Sequence, residues 1–212
     1  MSFDLLAPHY TWMEIALAGS RLQRCRIAWL PALDGCERIL IAGVGHGHFL
    51  KTCAQRLPEA EIVSVDASER MLAHAQARVQ RTAPNPARLR FVHATLPAWS
   101  PPIGRFDAIV TNFFLDCFAP GELDAVVAAL AGAARPHAQW LLADFTMPPG
   151  RGWARRRARA IHAAMYAFFR PIAGVKARCV TAPDSLLRRH GFALQRRKTS
   201  EWGLLHADWW AR

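Results

Sequence analysis

Five short apolar runs punctuate the first two thirds of the chain: Arg38–Ala42 (RILIA), Glu61–Val65 (EIVSV), Leu89–Val92 (LRFV), Phe106–Val110 (FDAIV) and Trp140–Ala143 (WLLA). Each has strand length and little alternation of apolar with polar positions, the pattern of parallel strands buried on both faces. Between them, 46–57, 68–82 and 121–134 carry helix formers at helical spacing, the third opening on Pro120-Gly121-Glu122 and ending near Pro136. Strand–helix alternation of this kind predicts an α/β fold with a parallel sheet covered on both faces. Ahead of it the pattern predicts a helical region over 9–30 closed by Pro31. Behind it come a long helix over 153–169, a short one from Pro183 to His190 stopped by Gly191, and two last strands near 192–200 and 203–210.

With 212 residues the chain has room for one sizeable domain, and 52% apolar against 20% charged residues excludes a disordered or low-complexity chain. The longest apolar stretches, such as the ten residues Ala125–Ala134, fall far short of the ~20 that cross a bilayer. The start carries Asp4 and no basic leader, so a cytoplasmic location is expected. Five cysteines without a C-x-x-C pair are expected to be reduced thiols rather than a disulfide or zinc scaffold. The net charge of +11 has a location: residues 1–144 hold 13 basic and 13 acidic side chains, whereas residues 145–212 hold 14 and 3.

The sharpest local feature is Ile39-Leu40-Ile41-Ala42-Gly43-Val44-Gly45-His46-Gly47-His48, a strand entering a helix through alternate glycines. Glycine is required where a backbone turns tightly or lies against a ligand with no Cβ between. The third glycine arrives one residue earlier than in the dinucleotide pattern G-x-G-x-x-G, which argues against NAD or FAD, and no Lys-Ser/Thr follows to make a phosphate loop. His46-x-His48 belongs to the glycine turn and lacks an obvious third partner, so no metal is expected. Ile62-Val63-Ser64-Val65-Asp66 ends in a carboxylate 23 residues after Gly43, placed to accept the hydroxyls of a ribose.

From this point the chain resembles the class I S-adenosylmethionine-dependent methyltransferases, in particular the small-molecule subset that includes the ubiquinone and menaquinone C-methyltransferases. Val65-Asp66-Ala67-Ser68-Glu69-Arg70-Met71-Leu72 matches V-D-x-S-x-x-M-L, Phe106-Asp107-Ala108-Ile109-Val110 matches the fourth-strand F-D-x-I/V-V, and Ala7-Pro8-His9-Tyr10 is similar to the A-x-x-Y that precedes the domain in that subset. The resemblance covers residues 5–146 and implies a Rossmann-like, seven-stranded, mostly parallel sheet with helices on both faces and the last strand antiparallel. It implies one domain: a helical cap (1–34), a cofactor-binding core (35–146), a basic lid region (147–182) and a last helix with strands (183–212). It also implies that Gly43, Gly45 and Gly47 pass beneath the methionine part of S-adenosyl-L-methionine, that Asp66 holds the ribose, and that Ala67 and Met71 flank the adenine. Further cofactor contacts come from His93, Ala94 and Asn112. The third strand departs from the pattern, offering His93 where relatives often carry an Asp that receives the adenine amino group.

In open α/β sheets ligands lie beyond the carboxyl ends of the strands, which puts Thr111–Asp116 and Asp144–Thr146 around a methyl acceptor. Prolines are missing from Thr111-Asn112-Phe113-Phe114, so the N/D-P-P-Y/F motif of amino-group methyltransferases is absent. Asp116 and Asp144 are the candidate general bases and Tyr10 a positioning hydroxyl; the bland alternatives are a helix cap for Asp116 and a strand-end acceptor for Asp144. Phe113, Phe114 and Phe145, with Trp12, Trp153 and Phe168 from flanking helices, are expected to enclose an apolar chamber for a small aromatic or lipophilic acceptor. On the helix over 151–170, Trp153, Ala160, Ile161, Ala164, Met165 and Phe168 share one face, while Arg155, Arg159, His162, Tyr166 and Arg170 lie on others. This segment reads as a lid with a solvated basic end, as a surface for an anionic membrane, or as a site for RNA or an anionic substrate. The rival to an enzyme is a non-catalytic adapter that keeps the nucleotide fold and binds RNA or protein through the basic tail.

Overall fold

The computed structural model describes residues 19–173, 177 and 180–212. Its strands are β1 (Arg38–Ala42), β2 (Glu61–Asp66), β3 (Leu89–His93), β4 (Phe106–Asn112), β5 (Ala134–Phe145), β6 (Ala193–Ser200) and β7 (Leu205–Ala211). The helices are α1 (Gly19–Arg26), α2 (His48–Arg56), α3 (Glu69–Gln80), α4 (Pro120–Ala133), α5 (Trp153–Ala173) and α6 (Asp184–Arg189). The strands form one sheet in the order β3-β2-β1-β4-β5-β7-β6. The first five pair in parallel, and β7 runs antiparallel to both β5 and β6. This is the Rossmann-like, seven-stranded arrangement expected from the sequence. Of the N-terminal helical region over 9–30, only α1 and the residues after it lie within the described part, and Pro31 sits inside a short 3-10 turn, Leu30–Leu33.

Neighbouring residues of a central strand serve opposite faces of the sheet because side chains alternate with period two. Leu40 and Ala42 enter a core closed by Leu123, Val126 and Leu130 of α4. Ile39 and Ile41 enter the other, closed by Phe49 and Leu50 of α2 and Leu72 and Val79 of α3. Both faces being covered is why these strands read as unbroken apolar runs.

Two strands are longer than the sequence pattern predicts. β4 continues through Thr111 and Asn112, with Thr111 Oγ1 accepting a hydrogen bond from the buried Trp140 indole at 2.9 Å. β5 begins at Ala134 rather than Trp140, because the pairing register with β4 shifts between Phe106 and Ala108 and the irregular stretch absorbs Pro136 and the left-handed His137 (φ 66°). A bulge is where a strand tolerates a residue that cannot donate to the ladder. The β6–β7 edge is pinned by an ionic network: Arg197 binds both oxygens of Asp208, at 2.8 and 2.5 Å, and reaches Asp184 at 2.9 Å. His206 Nδ1 lies 3.1 Å from Asp208. Burial works against the charge on Asp208, yet hydrogen bonds from Arg197 and His206 hold its carboxyl below the usual range.

Candidate active site

The order of the sheet reverses between β1 and β4, and the crevice at their carboxyl ends is where the sequence motifs converge. β1 runs into the glycine turn. Gly43 N–H still bonds to Val65 C=O at 2.9 Å, and Gly47 begins α2 in the left-handed region (φ 75°). The glycines differ in what they allow. A Cβ on Gly43 would lie 2.5 Å from the Phe114 ring, and one on Gly47 would lie 2.8 Å from the backbone of Ala75 in α3; one on Gly45 would meet no protein atom within 4 Å. Gly43 and Gly45 line the cavity, while Gly47 is the point where α2 and α3 approach each other.

Asp66, the last residue of β2, orders this end of the cavity. Its Oδ2 accepts from Gly45 N–H at 3.2 Å and its Oδ1 from Ser68 N–H at 3.0 Å, so the carboxylate joins the glycine turn to the start of α3. Ser68 caps α3, its hydroxyl accepting from Met71 N–H at 3.1 Å. The motif V-D-x-S-x-x-M-L is therefore a strand end, an aimed carboxylate, a helix cap and a buried methionine. Asp66, Ala67 and Met71 all face the cavity, and so does Ala94, whose N–H bonds to Asp66 C=O at 3.1 Å. His93 does not line the cavity. It is exposed at the end of β3, with Nε2 3.2 Å from Ala67 C=O, bracing that segment from outside.

Opposite stand Asn112, Phe113, Phe114 and Phe118. Asn112 is about nine-tenths buried, and neither its amide oxygen nor its amide nitrogen has a hydrogen-bond partner among the described residues. Phe113 has left-handed backbone (φ 53°), and its ring lies 5.2 Å from that of Phe145, which meets the His162 ring edge-on at 5.9 Å. A non-glycine residue held in that region costs about 1–3 kcal/mol, and such strain concentrates at functional sites. Sequence reasoning missed Arg26. It reaches the cavity from α1, its guanidinium 5.1 Å above the Phe113 ring, and no local pattern announces it because only tertiary packing of α1 over the strand ends brings it there.

The two acidic candidates lie behind this wall. Asp116 occupies a 3-10 turn, Leu115–Cys117, rather than the cap of α4, whose N-cap is Ala119. The Cys117 thiol, itself at the cavity, donates to Asp116 Oδ1 at 3.6 Å, and Tyr166 of α5 donates its hydroxyl to Asp116 C=O at 3.2 Å. Asp144, on β5, accepts from Phe145 N–H at 2.8 Å. Burial raises Asp116 to about 6. Burial and then the charge of Asp116 push Asp144 well above the usual carboxylate range. Two carboxyl groups in one apolar site disfavour double ionisation. Tyr10 and Trp12 lie outside the described residues.

The helix over the site departs from the expected orientation. Ala158, His162 and Tyr166 form the buried face of α5, whereas Trp153 and Phe168, expected in the acceptor chamber, are 60% and 40% exposed. Trp153 packs on Trp202 at 5.6 Å instead. Phe113 and Phe114 do line the cavity and Phe145 backs it. The four described cysteines that carry a state are free thiols, Cys25, Cys36, Cys53 and Cys117; Cys179 lies outside the described residues.

Comparison with known proteins places these features. Residues 39–137 match the model of a methyltransferase domain. The chain is 37% identical over 97 residues to a trans-aconitate 2-methyltransferase of Streptomyces avermitilis, covering 46% of this chain and 35% of that one. It is 35% identical over 95 residues to a ubiquinone/menaquinone biosynthesis C-methyltransferase of Syntrophotalea carbinolica, covering 44% and 39%. The chain thus spans well under half the length of these curated relatives. Among solved structures, magnesium protoporphyrin IX methyltransferase from Synechocystis with bound S-adenosylhomocysteine aligns over 99% of this chain and 96% of its own, with a TM-score of 0.70 and 20% identity, a likeness of fold. A domain match running from β1 into β5 and a whole-chain fold shared with a cofactor-bound methyltransferase converge with the glycine turn and Asp66: residues 39–137 are similar to a methyltransferase domain, and the chain as a whole has the fold of the class I S-adenosylmethionine-dependent methyltransferases.

Proposed function

We propose that the chain transfers a methyl group from S-adenosyl-L-methionine to a small aromatic or lipophilic acceptor. The observation that carries this reading is one cavity lined both by an aimed carboxylate, Asp66, and by the Phe113, Phe114 and Phe118 rings. The cavity suits the cofactor on two counts. Asn112 presents a buried donor and acceptor that nothing among the described residues satisfies, and Gly45 offers bare backbone on open space. Asp66, aimed by its bonds from Gly45 and Ser68 N–H, is the carboxylate that would accept the ribose hydroxyls. Ala67, Met71 and Ala94, which line the same cavity, would hold the adenine. Asn112 and Arg26 are set for the charged amino-acid end.

When bound, the cofactor supplies a sulfonium-activated methyl whose loss leaves a neutral thioether. The protein's part is then to align the acceptor in line with that methyl and to keep water out. Phe113, held in its strained conformation and packed at a tilt against Phe145, fixes one wall for a planar acceptor. A base is needed only if the acceptor still holds its proton. Asp116, raised to about 6 by burial, is the candidate to take that proton, lying behind the cavity-lining Cys117 of the same turn, while burial and the charge of Asp116 disfavour ionisation of Asp144. Tyr10 is proposed to position the acceptor. Residues 35–146 hold the cofactor, and 147–182 form the lid.

No helix among the described residues is long and apolar enough to cross a membrane. A lipophilic acceptor would instead be met at an anionic membrane surface by residues 151–170, the chain itself staying cytoplasmic. Titration calorimetry with S-adenosylmethionine and its demethylated product tests the assignment. Micromolar binding is expected, and Asp66→Ala should weaken it by about 1.5–3 kcal/mol, the scale of charge-assisted hydrogen bonds. Absence of binding by the wild type, or a preference for NAD, refutes it.

A further inference from the structure

A second cavity lies between α1 and the β6–β7 edge. Arg21, Arg24, Cys25, Lys198, Ser200 and Glu201 line it. Arg21 is already shared with Glu201, at 2.6 Å. Arg24 and Lys198 are exposed and have no anionic partner among the described residues. Two uncompensated cations and a hydroxyl around one hollow have the donor set of a phosphate site.

What adjoins the hollow is not ordinary surface. Glu201, Trp202 and Gly203 follow one another in the left-handed region, with φ of 53°, 57° and 80°, and the resulting turn holds Trp202 61% exposed. Trp153 packs against it, and the Arg157 guanidinium lies 5.2 Å above its ring and reaches Glu201 C=O at 3.5 Å. From Trp153 the outward face of α5 continues through Ala160, Ala163, Ala164, Ala167 and Phe168, all exposed, a strip of about 22 Å at 1.5 Å per residue. Arg156, Arg159 and Arg170 flank it. Tryptophans, an exposed apolar strip and flanking arginines are the composition of a helix lying in a membrane interface.

We propose that the hollow of Arg24, Lys198 and Ser200 receives the phosphate of an anionic phospholipid, with Trp153 and Trp202 inserted beside it as interfacial anchors. The proposal rests on the reading of residues 151–170 as membrane-facing and gives that face a headgroup site on other elements. RNA fits less well, since the alanine strip offers no group to a base or a phosphate. A second copy fits less well too, since this third of the chain carries 14 basic against 3 acidic residues and would repel itself. The same α1 that lines this hollow with Arg21 and Arg24 lines the first cavity with Arg26.

The test is sedimentation with vesicles of phosphatidylcholine alone or with 30 mol% phosphatidylglycerol, together with calorimetry of S-adenosylhomocysteine as a check of folding. Wild type is expected to sediment only with the anionic vesicles. Arg24→Gln with Lys198→Gln should lower partitioning about thirtyfold, two charges at the surface being removed, with cofactor affinity unchanged. Trp202→Ser should lower it without changing its salt dependence. Wild type ignoring anionic vesicles overturns both this proposal and the membrane reading of the helix. Binding that survives Arg24→Gln/Lys198→Gln but is lost in Arg156→Gln/Arg159→Gln overturns the headgroup site and keeps the helix. Saturable binding of inorganic phosphate or RNA without vesicle binding, or a stable dimer lost in Trp202→Ser, also overturns it.

Discussion

Gly45 and Gly47 stand two residues apart in one turn, yet replacing each by alanine should damage different properties. At Gly47 the new Cβ would lie 2.8 Å from Ala75 Cα and 2.9 Å from Ala75 Cβ, both fixed in α3 and unable to rotate away. Separation of α2 from α3 is the only relief, and overpacking of this kind costs about 1–3 kcal/mol. The residue also keeps φ 75°, which costs an L-residue a further ~1–2 kcal/mol. Gly47→Ala should therefore lose about 2–5 kcal/mol, a large part of the stability of a typical domain. At Gly45 only the backbone cost applies, about 1–2 kcal/mol at φ 51°, because the Cβ enters open space; but that space is the cavity, so cofactor affinity should fall at least tenfold. Urea unfolding of the two variants and calorimetry with S-adenosylhomocysteine read both quantities. Gly47→Ala within about 0.5 kcal/mol of wild type, the range of ordinary surface substitutions, would refute the reasoning, as would a Gly45→Ala protein that binds the cofactor normally.

Three further outcomes follow from the same geometry. Asn112→Ala should leave urea stability unchanged or raised, since it removes a buried amide without partners, while cofactor affinity drops; a stability loss above about 1 kcal/mol would show the amide is satisfied in the free protein. Asp116 keeps its proton to about pH 6 in the folded chain and to about 4 when unfolded, so between those values folding stability should fall as pH rises, by about 2 kcal/mol, and methyl transfer to a protonated acceptor should rise through the same window. Asp116→Asn should flatten both profiles, and an unchanged stability profile would refute the burial argument. Arg197→Met strands the charge of Asp208, 1% exposed, and should cost about 3 kcal/mol, the low end for breaking a buried pair because His206 still bonds; its cofactor affinity should match wild type.

How much of this was written locally in the chain varies from residue to residue. The glycine turn and Asp66 were legible because strand, turn and helix cap are contiguous, and their roles are fixed within a few residues of one another. The parallel sheet followed from strand–helix alternation, and its seven strands with the last antiparallel from the resemblance. The orientation of α5 was not legible: a hydrophobic stripe identifies two faces but not which is turned inward, and here His162 and Tyr166 go in because Tyr166 meets the Asp116 carbonyl and His162 meets Phe145. Arg26 meets Phe113, 87 residues further on, and the Arg24–Lys198 hollow joins elements 174 residues apart, so no window of sequence contains them. His93 was placed correctly at a strand end and wrongly in the cavity, since strand register fixes position and not the direction of a terminal side chain.

The position of β7 bears on how the chain is made. β7 lies between β5 and β6, so the strand synthesised last of the seven must enter between two that already exist. Until residues 205–211 leave the ribosome, the Trp140–Ala143 stretch of β5 has an open edge on that side, and β6, joined to the sheet through β7, has nothing to pair with. An unpaired apolar strand edge is a template for association with other chains. The half of the sheet bearing the glycine turn and Asp66 can form early, whereas protection of β5 arrives only with the final hairpin. Translation pauses or lesions in β6 and β7 then endanger the nascent chain through aggregation, although neither strand contributes a residue to the cofactor cavity.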